Sequence, residues 1–254
     1  MSLILTALLA ASGLATLAYI VSLLIKDSSI ADVFWGLYFV AIAIALLVRV
    51  DHPSKQLWLA GGLVTVWAAR LSWHIAKRKL GKPEDWRYAQ WRKKWGHWFT
   101  LRSYLQNFLF QALLATVIAA PLILAAHSSI NHLSSLTYAG AFIWLAGFCF
   151  ETIADRQLAN FLANRQPSQI MQAGLWRFSR HPNYFGEVVQ WWGLWLMVVS
   201  LPFGWLAVVS PLTITGLILF VSGVPLLEKR YKNDPAYQTY AGKTSVFVPL
   251  PPKT

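Results

Sequence analysis

The chain has 254 residues, 56% of them apolar and 13% charged, with a mean hydropathy of +0.46. That balance excludes an ordinary soluble domain and belongs to an integral, multi-pass membrane protein, in the inner or plasma membrane if the source is bacterial. The net charge of +12 does not point to nucleic acid, because the basic residues lie in segments between apolar runs, and the single cysteine, Cys149, excludes an intrachain disulfide.

A helix needs about 20 apolar residues to cross the hydrocarbon core. Such runs fall near 2–25, 31–49, 57–76, 103–126, 136–155, 183–201 and 204–227. The first lacks a basic leader and is too long for a signal peptide, so it reads as a transmembrane helix. The second starts with "SSIADVFWG", where Asp32 suits the first turn of a helix. The third carries Arg70 and His74, one turn apart. Between the third and fourth lies "KRKLGKPEDWRYAQWRKKWGHWFTLR", basic and aromatic, which suits an interfacial amphipathic stretch near anionic headgroups or a lid over a ligand. "PFG" at 202–204 joins the last two runs as a tight hairpin. The expectation is an all-α bundle of seven transmembrane helices. With the N-terminus outside and the C-terminus inside, every Lys and Arg except Arg49, Lys55 and Arg70 falls on the cytoplasmic side.

The sixth run opens with "SRHPNYFGEVVQWWG". Pro182 suits a first helical turn, where its missing N–H costs nothing. From there Asn183, Glu187, Gln190 and Trp191 share one face. The fifth run sets Glu151 and Asp155 one turn apart, and the seventh ends "LLEKRY" with Glu228, Arg230 and Tyr231. An ionised side chain at mid-membrane costs about 2.5–3.5 kcal/mol on insertion scales, so these groups require partners or a function. Mutual neutralisation, for example of Glu187 by Arg180 or Arg230, is the structural alternative to a polar ligand pocket.

"GLWRFSRHPNYFGEVVQWWG", preceded by "ETIADRQL" and followed by "EKRY" and "DPAYQTYAGKTSVFVPLPPK", resembles the C-terminal domain of the steroid 5α-reductase superfamily, in its bacterial branch of uncharacterised proteins. The match covers about 145–254; "ADVFWG", "WAARLSWHI" and "GKPEDWRY" extend it more loosely. The R-H-P-x-Y-x-x-E pattern also occurs in isoprenylcysteine carboxyl methyltransferases. The resemblance implies one integrated domain, with a four-helix substrate-side half at 1–135 and a three-helix NADPH-binding half at 136–254. It implies cofactor contacts at Asn183 and Glu187, toward the nicotinamide, and at Trp191, Asp155 and Tyr231. The animal steroid reductases carry a Gln-Glu pair in their second and third spans; this chain lacks it, and Asp32 is the nearest acid.

The expected activity is NADPH-dependent reduction of a conjugated carbon–carbon double bond in a lipid-like substrate, steroid or other enone, that enters from the bilayer. An acid then polarises the substrate carbonyl. Asp32 is the first candidate, with Tyr38 and Tyr88 as rivals. Arg70 is expected either as the counter-ion of Asp32 or as a clamp on a ligand carboxylate. Arg177, Arg180, Lys229 and Arg230 are candidates for the cofactor phosphates. His181 shapes the turn into the helix or touches a phosphate, and Tyr184, Tyr237 and Tyr240 could stack on the cofactor. Glu151 completes the set. The alternative is an S-adenosylmethionine-dependent methyltransferase of a lipid or prenylated acceptor, since acids and aromatic faces suit a sulfonium. No G-x-G-x-x-G, Walker A, HExxH or Cys/His cluster is present, so no Rossmann site, P-loop or metal is expected.

Overall fold

The computed structural model describes residues 1–166 and 169–253. Among them there is no strand. The helices, in chain order, are α1 (Leu3–Leu24), α2 (Ala31–Arg49), α3 (Lys55–Lys79), α4 (Trp86–Trp95) and α5 (Phe99–Arg102). A π-helical stretch, Ser103–Leu109, leads into α6 (Phe110–Ile118) and α7 (Ala120–His127). Then come α8 (Ser135–Ala163), α9 (Pro182–Val198), α10 (Val209–Gly216), a second π stretch at Leu217–Val221, α11 (Val224–Tyr231) and α12 (Pro235–Lys243).

Helical segments thus occupy all seven predicted positions. Four are long and apolar enough to cross a membrane: Leu3–Leu24, Ser28–Arg49, Ser135–Ala163 and Gly204–Tyr231. A fifth is counted if the pair bent by 51° at Ala119 is one span. The break has a covalent cause. Pro121 offers no N–H to the preceding turn, and its ring crowds the carbonyl four residues back. The other two positions differ for distinct reasons. At 17 residues α9 is short. The 25 residues of α3 are long enough but include Lys55, Gln56, Arg70, His74 and a Lys-Arg-Lys end.

The chain divides into two compact units, Met1–Leu133 with Leu201–Ala207, and Ser134–Ser200 with Val208–Thr254. In the first, α2 packs against both α1 and α3, and α6 and α7 join them. Helix α1 meets its neighbours through Ala7, Ala11, Ala15 and Ala18, all fully buried and spaced by three or four residues. Small side chains let backbones approach where lipid removes most of the hydrophobic drive between helices. Ser2 and Ser54 cap α1 and α3 by accepting from Leu5 N–H and Leu57 N–H.

The second unit is built on the antiparallel pair α8–α9. Gly140 and Gly147 on α8 face Gly193 and Gly186 on α9, seven residues apart on each helix. A Cβ at Gly186 would lie 2.6 Å from the Glu151 nitrogen and 2.7 Å from the Gly147 oxygen. Backbone therefore lies almost on backbone along this seam. Short polar side chains can reach across it, which sets the geometry of the site.

Candidate functional site

Along that seam Glu151 and Gln190, each at most 2% exposed, meet with the Gln190 amide donating to Glu151 Oε2 at 2.6 Å. The same amide also reaches the Gly186 carbonyl at 3.3 Å. Two turns nearer the α9 N-terminus, Asn183 Nδ2 donates to Asp155 Oδ1 at 3.1 Å. Glu187 and Trp191 lie on the same helix and are buried. The Gln190 amide oxygen is buried without a hydrogen-bond partner among the described residues. A buried acceptor left in that state costs roughly 1–3 kcal/mol. It is therefore a place where a ligand N–H would be welcome.

A second cluster surrounds the start of α9. Arg180 holds Glu228, midway along α11, with two parallel bonds of 3.0 and 3.1 Å. Its remaining edge donates to the carbonyls of Ala241 and Thr244 at 2.7 and 3.3 Å. Glu228 Oε1 also faces His181 Nε2 at 3.0 Å and accepts from the Tyr237 hydroxyl at 2.6 Å. Tyr237 stacks on Tyr231, and His181 on Tyr184. The Tyr240 hydroxyl donates to the Trp176 carbonyl. The backbone is strapped here too, by Arg180 N–H to Ser245 O and Leu250 N–H to Phe178 O. Burial pushes the Tyr237 hydroxyl above its ordinary range, and the Glu228 carboxylate beside it pushes the same way.

Arg180 is therefore largely engaged by Glu228 and the C-terminal segment. Arg177, Lys229 and Arg230 are exposed and make no ion pair among the described residues; Arg230 lies over the Tyr231 ring. The second unit thus brings Asp155 to Asn183, Glu151 to Gln190, and Arg180, His181 and Tyr237 to Glu228. Glu228, noted in the sequence only as part of "LLEKRY", is the hub of this cluster. The sequence reading did not use the glycine spacing of seven in "GAFIWLAG" and "GEVVQWWG", a signal that was present.

The first unit holds the other candidates. Asp32 accepts from Arg87 at 2.6 Å on one oxygen and from the Tyr88 hydroxyl at 2.8 Å on the other. Two donors on two oxygens is the pattern of a carboxylate, so Asp32 is arranged to accept a proton contact rather than to give one. Its ionic partner is Arg87 rather than Arg70, expected from the sequence either as its counter-ion or as a clamp on a ligand carboxylate; Arg70 is half-buried on α3. Tyr88 is 2% exposed. Around this pair a network docks α4. Arg87 also binds Asp85, Arg92 binds Glu84, and Lys79 binds Asp27 and Ser29. Tyr38, the other rival, is fully buried with its hydroxyl unbonded among the described residues. No group of three or more His, Cys, Asp and Glu that could hold a metal occurs among the described residues.

A family model described as protein of unknown function (DUF1295) matches residues 18–244. A Schizosaccharomyces pombe protein described as uncharacterized protein C594.04c is 26% identical over 268 residues, which cover 90% of this chain and 74% of that relative. No solved structure matches the chain.

Proposed function

The chain belongs to the family described as protein of unknown function (DUF1295), and from that premise we propose that it is a membrane-embedded, NADPH-dependent reductase of a carbon–carbon double bond conjugated to a carbonyl in a lipid-like substrate. The family lies in the steroid 5α-reductase-like group, which agrees with the motif resemblance. The observation that carries the reading is the polar seam of α8 and α9. Asp155, Asn183, Glu151 and Gln190 converge there, and the Gln190 amide oxygen is left for a donor.

We read these residues as a site for a nicotinamide nucleotide. A carboxamide N–H would satisfy the Gln190 oxygen, with Asn183, Asp155, Glu187 and Trp191 around the same end. Exposed Arg177, Lys229 and Arg230 would meet phosphates, and charge-assisted bonds of this kind are about twice as strong as neutral ones. Arg180 has a different part in this reading. By binding Glu228 and the 241–244 carbonyls it fixes the segment that frames the α9 N-terminus. When bound there, NADPH would supply the hydride to the β-carbon, and a proton from solvent would complete the reduction at the α-carbon. The first unit holds an arrangement of its own, in which the Tyr88 hydroxyl donates to Asp32 and Arg87, itself held by Asp85, binds the other Asp32 oxygen.

The same reading makes all seven helical positions membrane spans, with the N-terminus outside and α12 inside. Helices α3 and α9 then cross as polar-striped helices, the pattern expected of intramembrane functional sites. A labelling experiment tests the chemistry. The protein in liposomes is given NADPH deuterated at C4 and a long-chain α,β-unsaturated ketone. One deuterium at the β-carbon of a saturated product is expected. Methyl transfer from S-adenosylmethionine without any deuterium incorporation would replace this reading with the methyltransferase one.

A further inference from the structure

A cavity of about 330 Å³ opens beside the C-terminal end of α1, lined by Tyr19, Leu23, Lys26, Arg92, Phe99 and Thr100 among others. It lies wholly in the first unit and shares no residue with the seam of α8 and α9. Its volume suits a phosphoglycerol headgroup, not a whole lipid.

The walls divide by chemistry. Leu23 and Phe99 form an apolar side, and next to them Leu24 and Ile25 are 77% and 51% exposed. The rim is cationic. Lys26 is exposed and makes no ion pair among the described residues. Arg92 sits over the Phe99 ring at 4.1 Å, and its Nε and Nη2 bind Glu84 while Nη1 takes no part in that pair.

The nearby acids are already engaged. Asp27 receives Lys79 and Ser29, and Glu84 receives Arg92 and the Ser28 N–H. The rim is left with a net positive charge. A helix C-terminus ordinarily repels anions. Here its last carbonyls are closed by Ile25 N–H to Val21 O, Lys26 N–H to Leu23 O and Asp27 N–H to Ser22 O. Exposed Trp86, Trp98, Lys93 and Lys94 lie on the adjoining α4 and the turn after it, in the mixture of indole and ammonium groups that marks a membrane interface.

We propose that this cavity binds one anionic phospholipid, its phosphate on Lys26 and the open edge of Arg92 and its chains over Leu23, Leu24 and Ile25. The test uses protein purified in mild nonionic detergent. Lipid retention is read by native mass spectrometry, and thermal stability is measured with phosphatidylglycerol, phosphatidylcholine or sodium phosphate. Wild type should retain one phosphatidylglycerol and be stabilised by it, with little effect of the other two.

Lys26→Asn should bind phosphatidylglycerol about tenfold more weakly, the loss of one charge-assisted contact. Asn tolerates the left-handed φ of 55° at this position, so the lipid-free protein should melt as wild type does. A Lys93→Asn/Lys94→Asn variant should keep affinity within about twofold. Equal retention of the two lipids, equal stabilisation by free phosphate, or undiminished binding in Lys26→Asn would each overturn the proposal.

Discussion

Asn183 donates to Asp155 at 3.1 Å across the α8–α9 seam. The pair joins the first turn of α9 to the interior of α8. It is possible because Gly147 and Gly186 let the two backbones touch. Replacing Asn183 by Asp sets two carboxylates face to face and removes the donor. Nucleotide affinity should fall at least about tenfold, the cost of one charge-assisted bond. Asn183→Ser, which keeps a donor, should lose less. Isothermal titration with NADPH separates the two variants.

The glycine seam predicts an asymmetric pair of alanine variants. Gly186→Ala drives a methyl group to 2.6 Å from the Glu151 nitrogen, and that backbone cannot yield without separating the helices. Overpacking of this kind costs about 1–3 kcal/mol. Gly62→Ala on α3 meets no atom within 4 Å and should be neutral or slightly stabilising, by up to about 1 kcal/mol. Thermal unfolding in detergent reads both.

Glu228 holds Arg180, His181 and Tyr237 together. Glu228→Gln removes the paired charge while keeping the shape. It should weaken the strap at 241–250 by about 1–3 kcal/mol, the range for hydrogen bonds to charged groups. The expected sign is faster proteolytic release of the segment after Tyr231, with the α1–α7 region cleaved no faster than in wild type.

Tyr88→Phe removes the hydroxyl that donates to Asp32 and leaves that carboxylate with Arg87. The first unit should lose about 1–3 kcal/mol, the range for hydrogen bonds to charged groups. Asp32→Asn, which breaks the ion pair as well, should lose more. Thermal unfolding in detergent makes the comparison.

The docking of α4 should be acid-sensitive. Burial alone would raise the Asp27 and Asp85 carboxyls, but hydrogen bonds from Lys79 and Ser29 to the first, and from Arg87 to the second, outweigh it and hold both below the ordinary value. A depressed folded-state pKa gives stability that is full above the unfolded value, about 3.9, and is lost as pH falls through the lower folded value. Tryptophan emission from Trp86, Trp91, Trp95 and Trp98 should thus be flat from pH 8 to about 5 and change below about 4. Asp27→Asn should reduce the acid step.

The long apolar runs made the helix positions legible, because nothing else in the sequence competes with about 20 apolar residues. The stripe of Asn183, Glu187, Gln190 and Trp191 was legible for a similar reason, since helical spacing fixes a face. What faces that stripe was not legible. Periodicity places side chains around one helix and says nothing of which neighbour they meet. Arg87 rather than Arg70 therefore took Asp32, and Glu228 drew in Arg180, His181 and Tyr237. Helix ends were also hidden. Helix α8 runs to Ala163, past the predicted end at 155, because it continues as a polar helix beyond its apolar run. The glycines at 140, 147, 186 and 193 could have foretold which faces of α8 and α9 meet.

The direct test is ligand-dependent melting of the wild-type protein in mild detergent, with NADPH and S-adenosylmethionine in parallel. A nucleotide at 100 times its dissociation constant stabilises the fold by about 2.7 kcal/mol. The account predicts a rise in melting temperature with NADPH and none with S-adenosylmethionine. A rise with S-adenosylmethionine alone, or a well-folded protein indifferent to NADPH at millimolar concentration, would contradict it.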